Sequence, residues 1–220
     1  MANVLVIGDT HFPATHPKYL QFILGIKKKY SCNQFVHIGD VVDHHTISFH
    51  KKHPDSVSAL TEYESALRNI REWYKVFPKL NVCIGNHDER VFRLTADIGI
   101  PSFYIKHYNE VYKTPSWKWD YGFTIDGVYY THGTGTGGQY PSFNLAKTRA
   151  TSVVLGHHHS IAGINWLVGP TQRFFGMDVG TGVDRSHIAF SYGMNHLKKP
   201  VVSCGVVING KQPYLELMDL

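Results

Sequence analysis

Four times this chain runs through apolar residues into a glycine and then, at the next position, into a side chain able to bind a metal ion. These are Ile7-Gly8-Asp9, Ile38-Gly39-Asp40, Ile84-Gly85-Asn86 and Leu155-Gly156-His157. A fifth apolar stretch, residues 128–131, ends at His132-Gly133. In open α/β sheets, ligands gather beyond the carboxyl ends of the strands. Glycine at each exit lets the backbone turn sharply and come close to a bound ion. Five exits in register would deliver oxygen and nitrogen donors to one rim.

The segments between these exits alternate in period. Residues 2–7, 34–38 and 80–84 read as strands, and residues 17–29 as a helix. Residues 56–77 carry Leu60, Tyr63, Leu67, Ile70, Tyr74 and Phe77 at alternating steps of three and four, the pattern of an amphipathic helix lying on a sheet. Pro54-Asp55-Ser56 supplies turn and cap chemistry ahead of it, and Pro78 ends it. The first half thus reads β-α-β-α-β, which implies right-handed crossovers and a parallel sheet covered by helices. The second half is mostly β. Residues 123–125 and 128–131 flank Asp126-Gly127, a hairpin signal. Residues 151–155, 161–168, 173–179, 201–208 and 214–217 read as strands, the last two joined by a turn opening with Asn209-Gly210. Two packed sheets with helices outside satisfy both halves. No repeat, low-complexity tract or linker breaks the 220 residues, so one domain spanning 1–220 is expected.

Composition narrows the chemistry. Cys32, Cys83 and Cys204 are odd in number and form no Cys-x-x-Cys, which points away from a disulfide framework and from a thiolate zinc site. The apolar runs are too short to span a bilayer, and the first one meets Asp9 too early for a signal peptide. A cytoplasmic protein without a membrane partner is expected. The net charge of +5 mildly favours anionic partners. Histidine is the anomaly: 15 of them, against 17 Asp and Glu together, and several sit at the ends of apolar runs.

More donors follow the exits closely. Asp9-Thr10-His11 puts two side chains on one side of an extended segment, as does His157-His158-His159. Mixed imidazole and carboxylate donors suit manganese, iron, zinc, cobalt or nickel better than magnesium or calcium, which prefer oxygen shells. Taken in order, Asp9-x-His11, Gly39-Asp40-x-x-Asp43, Gly85-Asn86-His87-Asp88, His132-Gly133 and Gly156-His157-x-His159 resemble the motif set of calcineurin-like metallophosphoesterases. The resemblance implies an α/β fold, a four-layer α/β/β/α sandwich of two mixed β-sheets flanked by helices. It also implies one metal held by Asp9, His11, Asp40 and His159, and a second held by Asp40, Asn86, His132 and His157, with Asp40 bridging and manganese the leading candidate. Hydroxide held between the metals would attack phosphorus, with His87 as the acid for the leaving oxygen and Asp43 holding its other ring nitrogen. Asp178-Val179-Gly180-Thr181 is a weaker match to the small-residue turn that often follows the last His motif.

The sequence also departs from one branch of that family. Protein Ser/Thr phosphatases place an Arg after the second motif; here the position is His44, which is expected to contact the substrate phosphate alongside Asn86 and His87 or to be a solvated loop residue. The presence of His159 likewise favours the broader phosphodiesterase and nucleotidase group. The expected partner is a small phosphorylated substrate of nucleotide type, monoester or diester. A DNA or RNA nuclease is the nearest alternative, disfavoured because the stretch after His159 reads as sheet rather than a capping region. A protein phosphatase and an inactive binding scaffold stand further off. Gly133-x-Gly135-x-x-Gly138 matches a dinucleotide fingerprint, but Gln139-Tyr140-Pro141 follows where a helix should open, so the stretch reads as a rim loop near the metals. Trp117, Trp119 and Tyr121 read either as a stacking wall for a base or as core packing.

Overall fold

The computed structural model describes residues 1–48, 55–187 and 197–219. Strands β1 (Asn3–Ile7), β2 (Gln34–His37), β3 (Asn81–Cys83) and β4 (Lys118–Asp120) run parallel in one sheet. Later in the chain come β5 (Gly122–Ile125), β6 (Val128–Thr131), β7 (Ser152–Leu155), β8 (Ala162–Val168), β9 (Arg173–Val179), β10 (Ser203–Ile208) and β11 (Gln212–Leu217). The chain end returns to the first sheet, where β10 pairs antiparallel with β1 and β11 with β10, giving the order β11-β10-β1-β2-β3-β4. The second sheet has the order β5-β6-β7-β9-β8, parallel across β6-β7-β9 and antiparallel at both edges.

Three buried clusters define the layers. Leu5 and Ile7 of β1 face the helices α1 (Tyr19–Lys29) and α2 (Ala59–Val76) through Tyr19, Ile23, Ile70 and Trp73. Val4 and Val6, on the opposite face of the same strand, meet Tyr130, Val154, Phe175 and Met177 of the second sheet. Val153 and Leu155 then turn outward to Ala146 of helix α5 (Pro141–Arg149). A strand covered on both faces has no polar side to show, which is why the first run reads as continuously apolar rather than alternating. The four-layer sandwich of two mixed sheets is therefore the fold of this chain. No helix among the described residues is long and apolar enough to cross a membrane.

Several local expectations shift. The second helix starts at Ala59 behind Ser58, whose side chain accepts the Thr61 N–H, so Ser58 is the cap and not the Pro54-Asp55-Ser56 turn; Pro54 lies outside the described residues. Helix α5 opens immediately after Gln139-Tyr140, where no helix was expected, with Pro141 at its first turn. The physical reason is topological. Parallel β6 and β7 cannot be joined by a hairpin and need a crossover, and a helix supplies it. Strand β4 and two short helices, α3 (Arg90–Asp97) and α4 (Tyr108–Tyr112), were not anticipated either.

Tyr19 pins the metal-side end of β1 to its antiparallel neighbour. Its hydroxyl donates to the Ser203 carbonyl at 2.7 Å and accepts the Gly8 N–H at 3.0 Å, wholly buried. Tyr19→Phe leaves one backbone donor and one acceptor unpaired in the core, which costs about 1–3 kcal/mol. Urea unfolding should show that loss, and an unchanged midpoint would mean the two backbone groups find other partners.

Candidate metal centre

The exits of β1 and β2 stay paired beyond the strands proper. His11 N donates to Asp40 O at 2.9 Å and Phe12 N to Val41 O at 2.8 Å. Both ligand residues sit in the left-handed region, His11 at φ 46° and Asp40 at φ 50°, as do His44 at 50° and His157 at 66°. Such conformations cost about 1–3 kcal/mol each in non-glycine residues and persist only where neighbours over-determine them. The neighbours here are identifiable. His37 accepts the Gly39 N–H on Nδ1 and contacts Thr10 Oγ1 through Nε2 at 3.0 Å; since Thr10 donates to the Val41 carbonyl, His37 must be neutral and carry its proton on Nε2. Burial pushes its pKa down to about 3, in keeping with that tautomer. Asp88 accepts the N–H groups of Val41 and Gly85, both at 3.0 Å, and so ties the β2 and β3 exits together.

The glycines before the ligands serve mainly as space, and only Gly39, at φ +112°, needs a backbone conformation that other residues avoid. A Cβ on Gly85 would lie 2.1 Å from Asp40 Oδ1, and one on Gly156 would lie 2.3 Å from Asp9 Oδ1. Each glycine makes room for a ligand delivered by another strand.

Seven expected ligands meet on one rim. Donor atoms of Asp9, His11 and His159 lie within 4.8 Å of one another, and so do those of Asp40, His132 and His157. His11 Nε2 is 3.1 Å from His159 Nε2, and His159 Nε2 is 3.2 Å from Asp9 Oδ2. In the second group His132 Nε2 is 3.0 Å from Asn86 Oδ1 and 3.2 Å from His157 Nδ1. His132 gives its Nδ1 proton to the Ile38 carbonyl at 3.1 Å, and His11 gives its own to Asp43 Oδ1 at 2.9 Å, which leaves Nε2 of both rings directed at the rim. Among the described residues, Asp9 Oδ1 is buried with no hydrogen-bond partner. An orphaned carboxylate oxygen among imidazoles is the donor set a divalent transition metal takes, so the residues present fit the metals that the motifs imply.

Charge is strongly coupled across the rim. Burial raises the pKa of Asp9 and Asp40, but His132 and the neighbouring imidazoles outweigh it and hold both below the usual carboxylate range. Burial alone would lower His132, yet Asp40 and Asp9 push it up to about 10. His157 is driven down to about 4 by burial and by the charge on His132.

His87 stands at the edge of this cluster, its ring 4.5 Å from that of His11. Its Nδ1 donates to the Asp43 carbonyl at 2.6 Å and lies 3.2 Å from Asp43 Oδ1. Asp43 therefore serves two rings, the expected acid and the ligand His11. Burial lowers the His87 pKa, but Asp40 and Asp43 more than offset it and the net shift is upward. His44 spends both ring nitrogens within the protein, Nδ1 on the His87 carbonyl at 2.9 Å and Nε2 accepting the Tyr112 hydroxyl at 3.2 Å. Glu62 of α2 accepts N–H groups from His45 and Thr46 and braces this turn.

The glycine-rich stretch does border the centre, with Thr136 Oγ1 3.1 Å from Nε2 of His158. Although α5 follows it, Asp178 already accepts hydrogen bonds from the Ser142 hydroxyl and backbone at that helix start, so the place a dinucleotide phosphate would take is filled by a protein carboxylate. The turn after Asp178 reaches Asp9, whose carbonyl accepts the Thr181 hydroxyl at 2.9 Å. Of the three aromatics, Trp117 is buried with its indole N–H on the Phe77 carbonyl, and Trp119 stacks on Tyr108 at 4.5 Å, which is core packing. Only Tyr121 is exposed.

Sequence reasoning missed His37, Glu62 and Arg90 and gave Asp88, though part of the third motif, no role; all four are buried polar residues that brace the ligand turns. His37 had a visible signal, an imidazole inside an apolar strand two residues before Gly39. For Gly156→Ala, where the added methyl would meet Asp9 Oδ1 and Ile38 Cγ2 at 2.3 Å, manganese affinity should fall at least about tenfold. Equilibrium dialysis reads this directly, and wild-type affinity in that variant would show that Asp9 does not depend on the space.

Residues 2–178 match the model of the calcineurin-like phosphoesterase family. The Gene 54 protein of Mycobacterium phage D29 is 27% identical over 209 residues, covering 81% of this chain and 78% of that protein. Among solved structures the chain is similar to Yfce, a phosphoesterase from E. coli, with a TM-score of 0.48 and 16% identity, covering 94% of this chain and 88% of that one. It is also similar to the nuclease MPE of Pseudomonas putida, with a TM-score of 0.44 and 11% identity, covering 96% of this chain and 86% of that one. With most of its length matched by the family model and all the family's ordered motifs gathered on one rim, this chain belongs to the calcineurin-like phosphoesterases and is a metal-dependent phosphoesterase.

Proposed function

We propose that this phosphoesterase holds two divalent metal ions and hydrolyses small phosphate esters of the nucleotide type, monoesters or diesters. The observation that carries the reading is the position of Asp40 Oδ2, 3.5 Å from His11 Nε2 and 3.3 Å from His132 Nε2, one carboxylate oxygen facing both donor groups. One ion would be held by Asp9, His11, Asp40 and His159, the other by Asp40, Asn86, His132 and His157, with manganese ahead of iron, zinc, cobalt and nickel. When bound, such ions activate water near neutral pH and steady charge on phosphoryl oxygens. Two divalent cations outweigh the charges of Asp9 and Asp40, which favours an anionic substrate. The free, buried thiols Cys32, Cys83 and Cys204 support a reducing, cytoplasmic location.

The chain's own residues supply orientation and the proton. Asp43 anchors the Nδ1–H of His87, so the transferable proton is the one on Nε2, and the carboxylates of Asp40 and Asp43 favour the protonated ring. That proton goes to the departing oxygen. His44, with both nitrogens engaged, acts as a brace for His87 and makes no substrate contact in this reading.

Purified protein should bind about two transition-metal ions per chain, and Asp40→Asn should lose occupancy at both positions, as read by elemental analysis. Folded wild type that takes up no metal and stays inactive with added manganese would sink the reading. His87→Asn separates proton donation from metal binding. A nitrophenolate leaves unaided, whereas a ribose or alkyl alkoxide needs a proton, and general acids contribute about 10²–10⁴-fold. The variant should slow alkyl or nucleoside esters by that range and nitrophenyl esters far less, with metal content retained. Equal losses on both would assign His87 to positioning alone.

A further inference from the structure

One buried cation stands beside the donor cluster. Arg90, the first residue of α3, is 6% exposed. Its Nη1 donates to the carbonyl oxygens of Asp43 at 3.0 Å and His44 at 2.8 Å, and its Nη2 lies 3.3 Å from Nε2 of His87. The Nη1 contacts occupy two of the five guanidinium N–H groups, and a His87 ring that carries its proton on Nε2 offers Nη2 no acceptor. The rest have no partner among the described residues, and Nε, which has none, is not sealed off from accessible space. Carbonyl oxygens are its closest acceptors, and Asp43 and Asp40 act on it only through space. A guanidinium this well covered, with no anion against it among the described residues, is costly in a folded protein.

Its address gives the reason. Arg90 touches the ring nitrogen of His87 from which a proton would leave, and His87 shares a donor cluster with His11 and Asp40. His44, the residue standing where a phosphate-gripping Arg would follow the second motif, has no ring nitrogen left to offer. We propose that Arg90 is the phosphate anchor of this enzyme, donating its unengaged N–H groups to a non-bridging oxygen of the phosphoryl group beside His87. The planar, permanently charged fork suits phosphate geometry better than an ammonium. The same contacts with Asp43 and His44 hold the fork in place before substrate arrives, so little ordering remains to be done on binding. This inference rests on the phosphoesterase reading of the rim.

The test uses inorganic phosphate as the probe, titrated calorimetrically into manganese-loaded wild type, Arg90→Gln, Arg90→Lys and Arg90→Ala, with metal content measured alongside. Phosphate should bind Arg90→Gln about 10–100-fold more weakly at unchanged metal content. Arg90→Lys should fall between, and added guanidinium ion should restore part of the affinity of Arg90→Ala. If Arg90→Gln does not fold, Arg90→Lys carries the same comparison. Wild-type phosphate affinity in the folded variants at equal metal content would overturn the proposal, and so would a loss that only tracks lost metal. Phosphate bound through Arg90 by a protein that turns over no ester would instead overturn the proposed function and leave this inference standing.

Discussion

The structure is organised around the burial of one carboxylate. Asp40 is 2% exposed, and a charge so placed is stable only if other groups come to it. Its Oδ1 accepts the His87 N–H at 2.8 Å, while Oδ2 faces His11 and His132. Those partners are delivered by the exits of β3, β1 and β6, so both sheets must end at the same level for one side chain to be satisfied. The inter-sheet core enforces that level: Val6, Ile38 and Cys83 from one sheet pack with Tyr130 and Val154 from the other. Apolar packing below and charge compensation above are two halves of one constraint.

Buried polar residues behind the rim convert that constraint into geometry. His37 and Thr10 lock the β1 and β2 turns to each other, Asp88 joins β2 to β3, and Glu62 with Arg90 holds the turn from Asp43 to Thr46. Without them the left-handed conformations of His11, Asp40 and His44 would relax. These contacts hold the expected ligand side chains at the rim through the protein's own hydrogen bonds.

Much of this was legible in the chain itself, and the division is physical. Six of the seven expected ligands announce themselves because each follows an apolar run and a glycine within three residues, and His132 ends such a run just before Gly133, a purely local pattern. The double-sided burial of β1 and β7 is local too. The bracing residues act across distance, Thr10 on His37 and Asp88 on Val41, and no local period marks them. Strand β4 shows no apolar alternation, since Lys118 and Asp120 are exposed on either side of Trp119. Helix α5 was missed because its sequence buries only Pro141, Ser142 and Ala146, too few to make a helical stripe. The surroundings of His44 are likewise unmarked locally, since the Tyr112 hydroxyl at its Nε2 comes from 68 residues away.

The crossed packing of glycine against ligand has a consequence for how such a chain can change. Gly85 leaves room for Asp40, Gly156 for Asp9 and Gly39 for His132, each pair drawn from different strands. A change at either member of a pair would therefore act on the other. A lineage that gave up its metals would free Asp40 and Gly85 together, and a descendant with a larger residue at one should show a shortened or altered side chain at the other. The history of the centre would then be written in glycines as much as in histidines.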